Sequence, residues 1–78
     1  MRVAVTFMAD LRRFAPSDGR GPHAYTLAAG ATMADLLSMV GISPDADITI
    51  GVDGELAARD TPLRDGVDVM LVSPMEGG

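Results

Sequence analysis

Residues 30–41 read GATMADLLSMVG and carry the clearest helix signal in this chain of 78 residues. Thr32 followed by Asp35 resembles a capping box, in which a hydroxyl and an acid satisfy free backbone N–H groups at a helix start. One apolar face follows at helical spacing, made by Met33, Leu36, Leu37 and Val40. Gly41 is a natural C-terminal stop, so we predict an amphipathic helix that ends there.

Alternating apolar residues on both sides of this helix predict four β-strands. The four runs are residues 2–8, 23–27, 48–52 and 67–72. The residues predicted to face inward are Val3, Val5, Phe7, Ile48, Ile50, Val52, Val67, Val69 and Leu71. The order strand, strand, helix, strand, strand predicts an α+β fold with the helix across one face of a mixed sheet. If the first and last strands lie side by side at its centre, the fold is a β-grasp roll.

The connections carry turn signals of their own. A helical turn is expected over residues 10–15, ended by Pro16, and a loop over residues 17–22. Asp53-Gly54 is a dipeptide that begins tight hairpins, and residues 61–66 read as a tight turn.

Composition limits the possible functions. The length fits one small domain, and 47% hydrophobic residues suffice for its core. The absence of cysteine excludes disulfides, thiolate metal sites and a cysteine nucleophile, and favours a cytoplasmic location. A net charge of −5, with arginine as the only basic residue type besides His23, disfavours nucleic acid and suits a basic surface on another protein. The apolar run from Val3 to Ala9 is too short to span a membrane.

Outward positions of the predicted sheet form a candidate interface. If the apolar face of each strand points to the helix, Met8, Met70 and Val72 point away from it. With the first and last strands adjacent, these three side chains would form an exposed apolar patch, which we interpret as a docking site. No metal site is expected, because His23 is interpreted as a solvated residue at a strand start and Asp45 and Asp47 as part of a turn.

The chain ends in Gly77-Gly78, beyond a proline that blocks further strand pairing. A terminus without side chains can enter a narrow channel in another protein and deliver its carboxylate there. We therefore divide the chain into a folded domain, residues 1–73, and a flexible tail, residues 74–78.

Taken together, these segments resemble the ubiquitin-like sulfur carriers of the MoaD/ThiS family, which have the β-grasp fold. The resemblance covers nearly the whole chain. It is carried by VTFMADLR at residues 5–12, LAAGAT at residues 27–32, VDG at residues 52–54, and TPLRDGVDV at residues 61–69 leading to the terminal double glycine. The spacing from turn to strand to double glycine is its most specific part.

The resemblance implies a carrier that is not itself an enzyme and binds no cofactor or metal. A ubiquitin-activating-type enzyme would adenylate the Gly78 carboxylate with MgATP, and a sulfur donor protein would then convert it to a thiocarboxylate. The large subunit of a synthase, or another sulfur-accepting enzyme, would take up the tail, with Met75, Glu76 and Gly77 leading to the reactive residue. Leu56 falls at a family contact position, and would join Met8, Met70 and Val72 in the partner interface. The length and residues 7–12 favour the small subunit of molybdopterin synthase over the shorter thiamine-pathway carriers.

The sequence is also compatible with other functions. The carried sulfur could serve thiamine, cysteine or a sulfur-containing secondary metabolite. A ubiquitin-like modifier would instead join Gly78 to lysines of target proteins. A plain β-grasp adaptor would use only the apolar patch and would tolerate loss of Gly77-Gly78.

Overall fold

The structure is a computed structural model that describes residues 1–15, 21–43 and 45–73. Within these ranges the strands are β1 (Arg2–Met8), β2 (His23–Thr26), β3 (Thr49–Val52), β4 (Glu55–Ala57) and β5 (Asp68–Val72). The α-helix α1 (Met33–Val40) lies between β2 and β3, and a 3₁₀ helix (Ala9–Phe14) follows β1. Both helical segments and four of the strands were predicted from the sequence.

The five described strands form one mixed sheet in the order β2-β1-β5-β3-β4. β1 and β5 lie side by side and run parallel, with Val5 opposite Val69. The neighbouring pairs β1–β2, β5–β3 and β3–β4 are antiparallel. The predicted α+β fold with first and last strands at the centre is therefore confirmed.

The core lies between the sheet and α1. Alternation along the strands turns Val3, Val5 and Phe7 of β1, and Val69 and Leu71 of β5, to the same side, where all five are buried. From α1 the buried residues are Met33, Leu36 and Leu37. The opposite side of the sheet, which we call the outer face, points away from this core.

The caps of α1 follow the prediction. The Asp35 carboxylate accepts hydrogen bonds from the Thr32 backbone N–H at 2.9 Å and from the Thr32 hydroxyl at 3.3 Å. Two further N–H groups at the helix start, those of Met33 and Ala34, donate to carbonyl groups of the loop before β5 at 3.0 and 2.8 Å. At the other end Gly41 has φ of 90°, the left-handed conformation that ends helices.

The strand β4 was not predicted, and the expected count of four strands was wrong. Its three residues are too few to show an alternating pattern. It forms because Asp53 and Gly54 both adopt positive φ, 51° and 87°, as a two-residue hairpin turn requires. This turn places Glu55 opposite Val52 and adds an edge strand next to β3.

Candidate docking face

The four residues predicted to contact a partner lie on the outer face. Met8 of β1 is opposite Val72 of β5, and Met70 lies two positions before Val72 on the same side of the strand. Leu56 of β4 is opposite Gly51 of β3, which is in turn opposite Met70. We call Met8, Leu56, Met70 and Val72 the docking patch.

The side chains of the docking patch differ in exposure. Leu56 is 84% exposed, and Met70 and Met8 are 46% and 40% exposed. Val72 is half-buried, although the prediction treated it as exposed. These three exposed side chains contribute little to the packing of the sheet itself. A cluster of exposed apolar side chains of this kind is typical of an interaction site.

A groove crosses the docking patch at Gly51. The strand register places Leu56, Gly51, Met70 and Thr6 in one row across four neighbouring strands. Because Gly51 contributes no side chain, the row has a gap between Leu56 and Met70. The groove there has a volume of about 510 Å³, and it extends past Thr6 to Pro22.

The groove was not predicted from the sequence. The same alternation that turns Ile50 inward turns Gly51 outward, so the pattern did contain the position. An outward-facing glycine does not by itself predict a groove, because the groove also depends on which side chains lie beside the glycine on the neighbouring strands. One of these neighbours, Leu56, belongs to β4, which was not predicted.

A carboxylate borders the groove at one end. Asp68 lines the groove and is exposed, and it lies two positions before Met70, so its side chain is on the outer face. Glu55 also borders the groove, but it is opposite Val52, so its side chain is on the other face of the sheet. The nearby Asp53 forms an ion pair with Arg64 at 3.7 Å, and among the side chains that the structure describes this is the only ion pair.

The docking patch lies beside the point where the described chain ends. β1 and β5 are parallel and end at the same edge of the sheet, with Val72 opposite Met8. Ser73 is the last described residue. The predicted tail residues Met75, Glu76, Gly77 and Gly78 lie outside the described residues, as does the predicted boundary of the folded domain at Pro74.

The remaining polar candidates do not form a site. His23 begins β2 as predicted, but its ring packs 6.1 Å from that of Phe7 and the residue is half-buried rather than solvated. Burial raises the pKa of the Tyr25 hydroxyl on the same strand, which therefore stays neutral near neutral pH. Asp45 and Asp47 are exposed, and the Asp45 N–H donates to the Ser43 hydroxyl at 3.2 Å in a turn. No group of three metal-binding side chains occurs in the described part of the chain.

Comparison with known proteins identifies the family. The sequence model of the ThiS family matches residues 5–78, and the chain therefore belongs to this family. Its members are small non-catalytic sulfur carriers, so the prediction that the chain is not an enzyme is confirmed. Family members partner with an adenylating enzyme and the large subunit of a synthase. No curated protein matches the chain significantly in sequence.

Solved structures agree with this assignment. SAMP1 from Haloferax volcanii is 26% identical, with a TM-score of 0.78 and complete coverage of both chains. A Pyrococcus furiosus protein assigned as molybdopterin converting factor subunit 1 is also 26% identical, with a TM-score of 0.74 and coverage of 95% of this chain and 98% of that one. The thiamine biosynthesis protein ThiS from Geobacter metallireducens shares the fold at 23% identity, with a TM-score of 0.66 and complete coverage of both chains. The predicted ubiquitin-like β-grasp fold is confirmed.

In the described ranges no helix is long and apolar enough to cross a membrane.

Proposed function

We propose that this chain carries sulfur as a thiocarboxylate on Gly78 and donates it to a synthase that makes molybdopterin. The observation that carries the proposal is the family match, which runs through the folded domain to the double glycine at residues 77 and 78. The proposed site of action is the cytoplasm, and the chain itself binds no cofactor.

The proposed chemistry takes place in the active sites of partners. A ubiquitin-activating-type enzyme catalyses attack of the Gly78 carboxylate oxygen on the α-phosphorus of MgATP, and pyrophosphate leaves. Sulfide released by a donor protein then attacks the carbonyl carbon of the acyl adenylate, a C–S bond forms as the bond to AMP breaks, and the terminal thiocarboxylate is left. Adenylation is needed because a free carboxylate has no good leaving group. The thiocarboxylate sulfur is a better nucleophile than the carboxylate oxygen, and it is the group that the synthase uses.

The position of the docking patch supports a carrier that is handled by enzymes. Met8 and Val72 lie where β5 ends, so a partner bound to the outer face sits next to the start of the segment that leads to Gly78. Met75, Glu76 and Gly77 would cross from the docking patch to the partner's active site. The choice of the molybdopterin pathway over the thiamine pathway rests on the length and on residues 7–12, and the 26% identity of the Pyrococcus furiosus protein supports it.

Intact mass distinguishes carrier from modifier. Incubation of the purified chain with the adenylating enzyme of the same organism, MgATP and sulfide should raise its mass by the difference between one sulfur and one oxygen. Cell extract should produce no ladder of higher-mass conjugates. A ladder without the sulfur product would show that Gly78 is joined to other proteins, and the carrier proposal would be wrong.

The docking patch is tested with a charged residue. Met8→Glu should weaken binding of the adenylating enzyme or the synthase by about tenfold or more, because a carboxylate is desolvated in an apolar contact. Met8 is the better site for this change, since Val72→Glu would also place a charge in a half-buried position. The control is Met39→Glu, which changes a 51% exposed methionine on α1, away from the outer face. Binding can be measured by calorimetry and folding by circular dichroism. Equal binding by the two variants would exclude Met8 from the interface.

A further inference from the structure

We infer that the groove at Gly51 is a socket for one apolar side chain of the partner, and that the Asp68 carboxylate at its end selects a partner segment carrying arginine or lysine next to that side chain. The inference rests on the proposed function and specifies the chemistry of the partner surface. It concerns the outer face alone and makes no use of the tail.

The shape of the groove supports a single inserted side chain. Leu56 and Met70 stand on either side of Gly51, with Thr6 and Pro22 continuing the wall beyond Met70. A β-carbon added at Gly51 would come no closer than 3.8 Å to the Glu55 carbonyl oxygen or to the Met70 β-carbon. A side chain at this position is therefore accommodated in ordinary van der Waals contact, and a partner side chain in the groove above it would contact apolar groups from two strands. Anchors enclosed in this way dominate the energies of interfaces.

Charge disfavours two other occupants of the groove. A second copy of the chain would bring another acidic surface towards Asp68, since each copy carries a net charge of −5. The chain's own last residues, PMEGG, contain the acid Glu76 and no basic residue. Neither occupant offers Asp68 a complementary surface. A basic partner segment instead provides a cation for Asp68, which forms no ion pair among the described side chains.

The socket is tested by filling it. Gly51→Leu should reduce affinity for the adenylating enzyme at least about 20-fold, and Gly51→Ala should reduce it less, because the added carbons occupy the space of the partner's side chain. Both variants should fold, since an added β-carbon meets no atom closer than 3.8 Å and a side chain favours a strand over glycine. The control is Ala24→Leu, which adds the same group to an exposed residue of β2 on the outer face but outside the groove.

The selection of a basic segment is tested by salt. Wild-type affinity should fall with rising salt concentration, and the fall should be smaller in the variant Asp68→Asn. The loss caused by Gly51→Leu should be the same at low and high salt, because it is steric.

The possible outcomes separate this inference from the proposed function. If wild-type protein gains sulfur and Gly51→Leu binds as tightly as Ala24→Leu, the socket is wrong and the carrier function stands. If Asp68→Asn keeps the wild-type salt dependence, the selection of a basic segment is wrong. If sedimentation finds wild-type dimers that Gly51→Leu dissociates, the occupant is a second copy and the inference fails. A wild-type chain that neither binds the adenylating enzyme nor gains sulfur overturns both.

Discussion

Removal of Gly78 is expected to abolish thiocarboxylate formation while leaving the folded domain intact. The deletion moves the terminal carboxylate back by one residue, about 3.5 Å in an extended chain. Nucleophilic attack requires the reacting atoms to lie within roughly 3–3.5 Å of each other, so such a displacement is not tolerated. Gly77→Val should have the same effect, because a β-branched side chain restricts the backbone and fills a narrow channel.

Stability and binding provide the controls for this prediction. The buried residues of the described core end at Leu71, so the free energy of unfolding should be unchanged by either tail variant. Both should still bind the adenylating enzyme through the docking patch, whereas Met8→Glu should lose binding and sulfur together. Sulfur incorporation is measured by intact mass after reaction with the enzyme, MgATP and sulfide. A truncated chain that gains sulfur at its new terminus would contradict the proposed role of Gly78.

The second large effect is expected from Leu71→Ala. Leu71 is fully buried in β5, opposite Phe7 of β1 and Ile50 of β3, so its truncation leaves a cavity at the centre of the sheet. Such changes cost about 2–5 kcal/mol, which is much of the stability of a small domain. Denaturation with urea should show a large fall in the unfolding midpoint, or a chain that no longer folds.

The neighbouring residue provides the matched control. Met70 precedes Leu71 and points to the outer face, where it is 46% exposed. Met70→Ala should therefore change the free energy of unfolding by less than about 1 kcal/mol, as is usual for surface positions, while weakening partner binding. Equal destabilisation by the two substitutions would mean that the faces of β5 are assigned incorrectly.

The helix and the central strands were predictable because their signals are local and redundant. For α1, the Thr32–Asp35 cap, the apolar face and the stop at Gly41 all indicate the same boundaries. For β1 and β5, alternation identifies both the strand and the buried face. Their pairing at the centre is a long-range property, and the residue pattern supported it only weakly.

The docking site was predictable in part. Alternation alone assigned Met8, Met70 and Val72 to the outer face, whereas Leu56 came from the family resemblance. The groove depends on the pairing of Gly51 with residues of two other strands, one of which is the short β4. The exposure of Val72 was overestimated because alternation gives the direction of a side chain and not the cover from its neighbours. The reactivity of Gly78 depends on partner enzymes and cannot be read from a physical property of the chain.

The parallel pairing of β1 with β5 has a consequence for the synthesis of the protein. The pairing joins segments that the ribosome makes far apart in time, since Ala4 of β1 lies opposite Asp68 of β5. Until β5 is made, β1 can pair only with β2, and a two-stranded hairpin alone is marginally stable in water. The five-stranded sheet can therefore form only after β5 has been synthesised. Met70 and Val72 belong to that strand, so an incomplete chain also lacks half of the docking patch. Partner enzymes can therefore bind the complete docking patch only after β5 has been synthesised.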